Sequence, residues 1–467
     1  MRTINRYANF AWVATIFTVL FVSGCQENDP PLPDSIANFE ASTLGMGDDT
    51  GEIDINLILT RAVGEEVTIV ITFATDGLVY GDHFTTIPAA IDNSLQVDIP
   101  GGSNQAAFKV VRNAQAFLDG DEKITFAIST VTSPATPGDV TEVQLSFSPI
   151  LSAGGEMTLN GLIGSEPGSS AGNSVFVDFS SNVQKAVART SWDLGFFNGE
   201  DFRVIINNMS GASVIAVDKT DISDVSAADI NPADLAIGLG EGHLGLIDGV
   251  AGDINDTAIP VIAAADGDNK VYVINRVGGT GATSEASAFE KIRLLRNGDH
   301  YTLQYARLNE TTFNILEINK SGNGNFTYVS FDNGPVAVEP TGSKWDIQWG
   351  WSIYSTENLP YGFSDLVFIN HLSGTTAAEV LTSTVSYEDF DVQDISRVTF
   401  SGDRDVIGSN WRITSPPASA GVKTDRFYVI RDANGNVYKL MFVNFHGNDG
   451  GVRGNPKIKY ALVQAGA

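Results

Sequence analysis

Cysteine is nearly absent: the 467 residues hold one, Cys25. A single thiol forms no disulfide framework and no cysteine-cluster metal site within one chain. Histidine is scarce as well. His83, His243, His300, His371 and His446 are scattered, with no H-x-x-x-H spacing to hold zinc. Positive charge is the third shortage, with Lys+Arg 28 against Asp+Glu 56 and a formal charge of −28. Such a chain repels phosphate backbones, which argues against nucleic-acid binding. Catalytic signatures are missing too: there is no G-x-S-x-G and no P-loop, and Gly238-Leu239-Gly240-Glu241-Gly242 lacks the dinucleotide-binding spacing. The chain reads as a non-enzyme. A carboxylate pair drawn from distant strands is the one catalytic arrangement that spacing does not expose.

What is present begins with an address. Arg2 and Arg6 precede an apolar run from Phe10 to Val22, which is a signal-type core too short to serve as a mature span. It closes in Val22-Ser23-Gly24-Cys25, which resembles the bacterial lipobox. That resemblance implies removal of residues 1–24, lipidation of Cys25, and an outer-membrane, lipid-anchored protein on the cell surface or the periplasmic face. Residues 25–35 are proline-rich without apolar periodicity, as expected of a tether. No later segment approaches the ~18 apolar residues of a membrane helix.

The fold class is mainly β. Over residues 36–150, Val67, Ile69, Ile71 and Phe73 alternate with Thr68, Val70 and Thr72, and Ile124, Phe126 and Ile128 alternate likewise. Period-two segments split by Gly, Asp and Pro predict an antiparallel β-sandwich. Tyr80-Gly81-Asp82-His83-Phe84 and Asp119-Gly120-Asp121-Glu122-Lys123-Ile124 in this segment resemble a Calx-β-like domain. The resemblance implies calcium at Asp82, Asp119, Asp121 and Glu122, because Ca²⁺ takes several hard oxygen ligands. Arg112-Asn113 stands where an acidic pair is usual, a departure that weighs against calcium.

Residues 151–173 are Gly/Ser-rich and read as a connector. The rest is an internal repeat, 174–325 and 326–467. Val175-Phe176-Val177-Asp178-Phe179 before Trp192-Asp193-Leu194 matches Thr327-Tyr328-Val329-Ser330-Phe331 before Trp345-Asp346-Ile347. Asn207-Asn208-Met209-Ser210-Gly211 matches Asn370-His371-Leu372-Ser373-Gly374. Residues 292–305 align with 428–442, with Asn-Gly hairpin signals at 297–298 and 434–435. Short helices are expected near 226–236 and 283–292.

The doubled Trp-Asp strand, the Asn-x-x-Ser-Gly turn and the closing Phe427 to Phe442 segment with Arg453 and Tyr460 resemble the HmuY-like family of surface lipoproteins. The resemblance implies capture of haem, or of another flat hydrophobic ligand, through a pair of axial side chains, with a TonB-dependent outer-membrane receptor as partner. The expected ligand loop, residues 412–424, holds neither His nor Met, and Ala377 to Phe400 offers only Tyr387. Iron donors are then His243, Met209, His371 or Tyr387, with Trp349 and Trp351, evenly spaced after Trp345, as a stacking face. The alternative is a structural or partner-binding lipoprotein that has lost the haem ligands.

Overall fold

A computed structural model describes residues 33–47, 51–113, 122–147, 151–238, 241–276, 285–320, 324–356 and 358–466. Cys25, most of the tether, Asp119 and Asp121 lie outside these residues.

The N-terminal region is two five-stranded sheets face to face. Strand Glu52–Leu59 buries every second residue, as does Val67–Asp76 over its first half. Their inward side chains meet Phe39, Phe84, Phe108, Phe126 and Phe147 in one core. Most pairs are antiparallel, but Ser35–Phe39 and Thr43–Gly45 each add a parallel edge pair, one to each sheet. The chain crosses between the sheets at residues 40–42.

Four larger sheets and one two-stranded sheet follow, and the order of the four contains the repeat. Asn173–Asp178 of the first repeat pairs with Ile347–Thr356 of the second, with Val177 opposite Ile347 and Val175 opposite Trp349. Leu194–Phe197 of the first repeat pairs with Phe326–Ser330 of the second, with Leu194 opposite Val329 and Phe196 opposite Thr327. These are the same pairing made twice, in reverse roles. Each repeat gives its first strand to the other's Trp-Asp strand, so the repeats are consecutive along the chain but interleaved in space. Each half then contributes a further sheet. Ser213–Val217, Val271–Asn275, Glu290–Asn297 and His300–Arg307 run in one, and Thr376–Leu381, Arg426–Arg431, Val437–Asn444 and Lys457–Gln464 run in the other.

This order corrects the expected alignment of 292–305 with 428–442. Counting strands from the Ser-Gly turn, Arg426–Arg431 matches Val271–Asn275, one strand earlier. The match is legible as Val271-Tyr272-Val273-Ile274 against Phe427-Tyr428-Val429-Ile430. Both Asn-Gly pairs do turn hairpins, with Gly298 and Gly435 at φ +63° and +85°, but between different strands. The Asn-Gly signal drew the alignment away because hairpin chemistry recurs wherever two strands join.

The expected helices shrink to single 3₁₀ turns at Ala227–Asp229, Pro232–Leu235 and Ala286–Ala288. Asp221, Ser226 and Asn231 each cap one turn, and the chain re-extends after each of the turns they open. The Gly/Ser-rich stretch is also more than a connector. Gly154–Thr158 is the edge strand beside Lys457–Gln464. Gly154 sits at φ +119°, where a Cβ would meet the Tyr460 carbonyl oxygen at 2.3 Å. Glu40 fastens the sandwich to this body. Its buried carboxylate accepts from Asn56 at 2.8 Å, Gln184 at 3.1 Å and the Thr158 amide at 2.8 Å.

Trp192 lies edge-on to Tyr328 at 4.8 Å, and Trp345 edge-on to Phe176 at 5.1 Å, so each indole packs on the other repeat's first strand. Both belong to one buried cluster. Trp192→Ala and Trp345→Ala should each cost ~3–5 kcal/mol by cavity formation, read from denaturant unfolding. A loss under ~1 kcal/mol at either site contradicts this packing.

Candidate functional site

The exchanged strands cross at a local pseudo-twofold axis, and the two halves use the same hydrogen bonds there. The Phe331 amide donates to Asp193 at 2.8 Å, and the Phe179 amide to Asp346 at 2.8 Å. Asn207 Nδ2 donates to the Arg189 and Trp192 carbonyls, and Asn370 Nδ2 to the Gly342 and Trp345 carbonyls. Each Asn opens its Ser-Gly turn, closed by Gly211 at φ +81° and Gly374 at φ +94°. These turns bring Met209 and His371 to the axis.

There they line an inner chamber of about 100 Å³ that is partly open to solvent, walled by Phe176, Trp192, Tyr328 and Trp345. Three carboxyl groups line it, Asp248, Asp253 and Glu339. Burial pushes Asp248 up to about 7, against amide donors Ile206 and Ala258. Burial likewise pushes Glu339 up to about 7, against the Phe326 amide. Arg404 and Asn208 are among the other polar residues of the lining, with Thr257, Asn325, Gln348 and Asn370. A second, larger cleft of about 620 Å³ lies between the sandwich and the repeat body. Phe176 and Glu339 border both spaces. Val183, Val187 and Pro340 give the cleft apolar wall. Lys109, Lys185 and Lys344 line it together with Glu52, Asp54, Asp178 and Glu339, and Lys109 is paired with Glu52 and Asp54 at 3.0 Å each.

The expected site residues scatter. Met209 and His371 meet at the inner chamber. His243 is exposed ahead of the turn Leu244–Leu246 and does not line it. Tyr387 is buried elsewhere, against Phe427 at 5.7 Å and beneath Lys439 at 4.9 Å, and burial raises its phenol well above the ordinary range. Trp349 and Trp351 do not share a face. A β-bulge at Gly350–Ser352 breaks the period between them. Trp349 points into the closing core over Gly161, where a Cβ would meet its ring at 2.2 Å. Trp351 packs on the other side, under the Arg189 guanidinium at 4.8 Å. At the sandwich, Asp82 is exposed, and among the described residues no three His, Cys, Asp or Glu side chains cluster as for a metal. Asp248, Glu339 and Arg404 were not legible as site residues, because they come from irregular segments whose approach only the exchanged strands create.

A family model described as "HmuY protein" matches residues 170–460. The chain belongs to the HmuY family. No curated protein sequence matches it. Among solved structures, the apo-form Calx CBD1 domain aligns over 25% of this chain and 96% of its own, at 10% identity and TM-score 0.22. The E. coli chaperone DraB aligns over 26% of this chain and 58% of its own, at 10% identity and TM-score 0.16. Scores this low establish no shared architecture.

Two-point iron ligation, implied by the family resemblance, does not fit this HmuY-family member. Met209 Sδ already accepts from Ser174 Oγ at 2.9 Å and Gln348 Nε2 at 3.3 Å. His371 Nε2 is bonded to the Gly252 carbonyl at 2.9 Å, and burial lowers its pKa, so the neutral ring donates there. The chamber has room for roughly three waters at ~30 Å³ each, far less than a porphyrin needs.

The buried carboxyls set a pH dependence. Glu339 has a folded pKa near 7 against an ordinary value of 4.5. The unfolded chain therefore releases this proton first as pH rises. Its stabilising contribution is full below pH ~4.5 and is lost as pH rises through ~7. Glu339→Gln should flatten the fall in unfolding free energy between pH 4.5 and 7, measured by urea titration at each pH. An unchanged slope contradicts the assignment.

Proposed function

We propose that this HmuY-family protein is a non-catalytic, lipid-anchored capture protein for a flat, acidic, hydrophobic molecule of the haem class. Its ligand lies in the cleft between sandwich and repeat body. The observation that carries this reading is the cleft itself. At about 620 Å³ it falls in the size range of small-molecule sites. Its apolar walls suit a ring face, and Lys185 suits a ring carboxylate, Lys109 being paired with Glu52 and Asp54. Lys185 supports this most directly. It is half-buried, forms no ion pair among the described residues, and its pKa is lowered by burial.

No His or Met lines the cleft. The ring is held by its faces and carboxylates rather than through iron. Hemin titrated into the mature protein should shift the Soret band without a sharp low-spin spectrum, which two strong axial donors would impose. Lys185→Glu should weaken binding about tenfold, ~1.4 kcal/mol. A tight low-spin complex, lost in His243→Ala or His371→Ala, contradicts the reading. No binding at all favours the alternative, a partner-binding lipoprotein without a haem site.

Cys25 is the proposed anchor, and delivery to a TonB-dependent receptor the proposed fate of the ligand. Cys25→Ser should leave the protein unprocessed or move it to the soluble fraction. Normal processing together with unchanged membrane fractionation contradicts the anchor.

A further inference from the structure

The inner chamber carries an inference separate from the cleft. Arg404 lines it half-buried and, among the described residues, has no hydrogen bond or ion pair from its guanidinium. One face of that group lies over the Phe368 ring at 4.0 Å. The acids around it are bonded elsewhere: of those that line the chamber, Asp253 accepts from the Asn255 amide at 2.9 Å and Glu339 from the Phe326 amide at 2.9 Å. Asp248 spends one oxygen on the Ile206 amide at 2.7 Å and the other on the Ala258 amide at 2.9 Å. Asp405 accepts from the Tyr354 hydroxyl. A half-buried guanidinium with no direct hydrogen-bond partner is open to an anion that can bond it.

Two more polar atoms in the chamber wall are buried without partners. Trp345 Nε1 is a donor with no acceptor, and Asn208 Oδ1 is an acceptor with no donor. Buried polar groups are normally satisfied. Gly252 keeps the space open. It sits at φ +74°, where a Cβ would meet Arg404 Cδ at 2.4 Å and His371 Cε1 at 3.0 Å. The unmet groups are thus a guanidinium fork, one N–H donor and one carbonyl acceptor around about 100 Å³.

We propose that this chamber binds a small carboxylate bearing a neighbouring hydroxyl. The carboxylate would take the Arg404 fork and the Trp345 indole N–H, and the hydroxyl would donate to Asn208 Oδ1. A planar carboxylate matches the guanidinium in two parallel hydrogen bonds. The chamber's about 100 Å³ is below the ~150 Å³ cavity that holds benzene, so the part of the ligand inside it is a few carbons.

The test is calorimetric titration of the mature protein with sodium L-lactate, lactamide and inorganic phosphate at matched ionic strength. Lactate should bind, and lactamide, its uncharged isostere, should bind at least about tenfold more weakly, as loss of a charge-assisted pair implies. Trp345→Phe keeps a ring at the site but removes the N–H, and should weaken lactate about tenfold. Arg404→Gln should abolish binding, with thermal unfolding checking that the variant folds. If it does not fold, Trp345→Phe and the lactamide comparison decide. Equal binding of lactate and lactamide, tighter binding of phosphate, or no effect of Trp345→Phe overturns the proposal.

Discussion

The repeat body depends on one exchange: the first strand of each repeat is completed by the other repeat's Trp-Asp strand. A strand left at an edge exposes a row of unpaired amides and carbonyls. Here Asn173–Asp178 and Phe326–Ser330 are covered only because both exchanges occur. Neither repeat closes its sheet alone. The two aspartates seal the arrangement by taking the amide just beyond each borrowed strand, Phe179 for Asp346 and Phe331 for Asp193. The aromatic pairs Trp192–Tyr328 and Trp345–Phe176 pack the same junction.

The frame is symmetric, but its chemistry is not. Asp193 holds Arg276 through two oxygens, at 2.7 and 2.9 Å. The position matching Arg276 in the corrected strand alignment is Asp432. Asp346 accordingly has no cation among the described residues, and burial together with Asp178 and Asp432 raises its pKa well above the ordinary value. The inner chamber follows the same rule. The duplicated strands give it paired aromatic walls. Asp248 and Gly252 come from the long insertion of the first repeat, and Arg404 from that of the second. A duplicated scaffold with divergent insertions places unlike groups around one axis, as binding an asymmetric ligand requires.

Much of the fold was legible in the sequence. Period-two burial marked the sandwich, and the twin Trp-Asp and Ser-Gly motifs marked the repeat, because both patterns are local. The exchange of strands was not legible, since VFVDF and TYVSF read alike whichever Trp-Asp strand they meet. The site was least legible. Met209 and His371 were singled out because they sit in a recognisable turn. The Trp349 and Trp351 pairing failed at a bulge, since even spacing implies one face only while the pleat is unbroken. Arg404, Asp248 and Glu339 sit in irregular segments with no periodicity to read, and only long-range packing brings them together.

Interleaving is the central claim, and amide hydrogen exchange at Phe179 and Phe331 tests it most directly. These amides lie at opposite ends of the duplicated pairing, one beyond each repeat's borrowed strand. If the repeats form one cooperative unit, both exchange with the same opening free energy, close to that of global unfolding. If one of them exchanges more than roughly a hundredfold faster than the other under native conditions, the repeats open independently and the account is wrong.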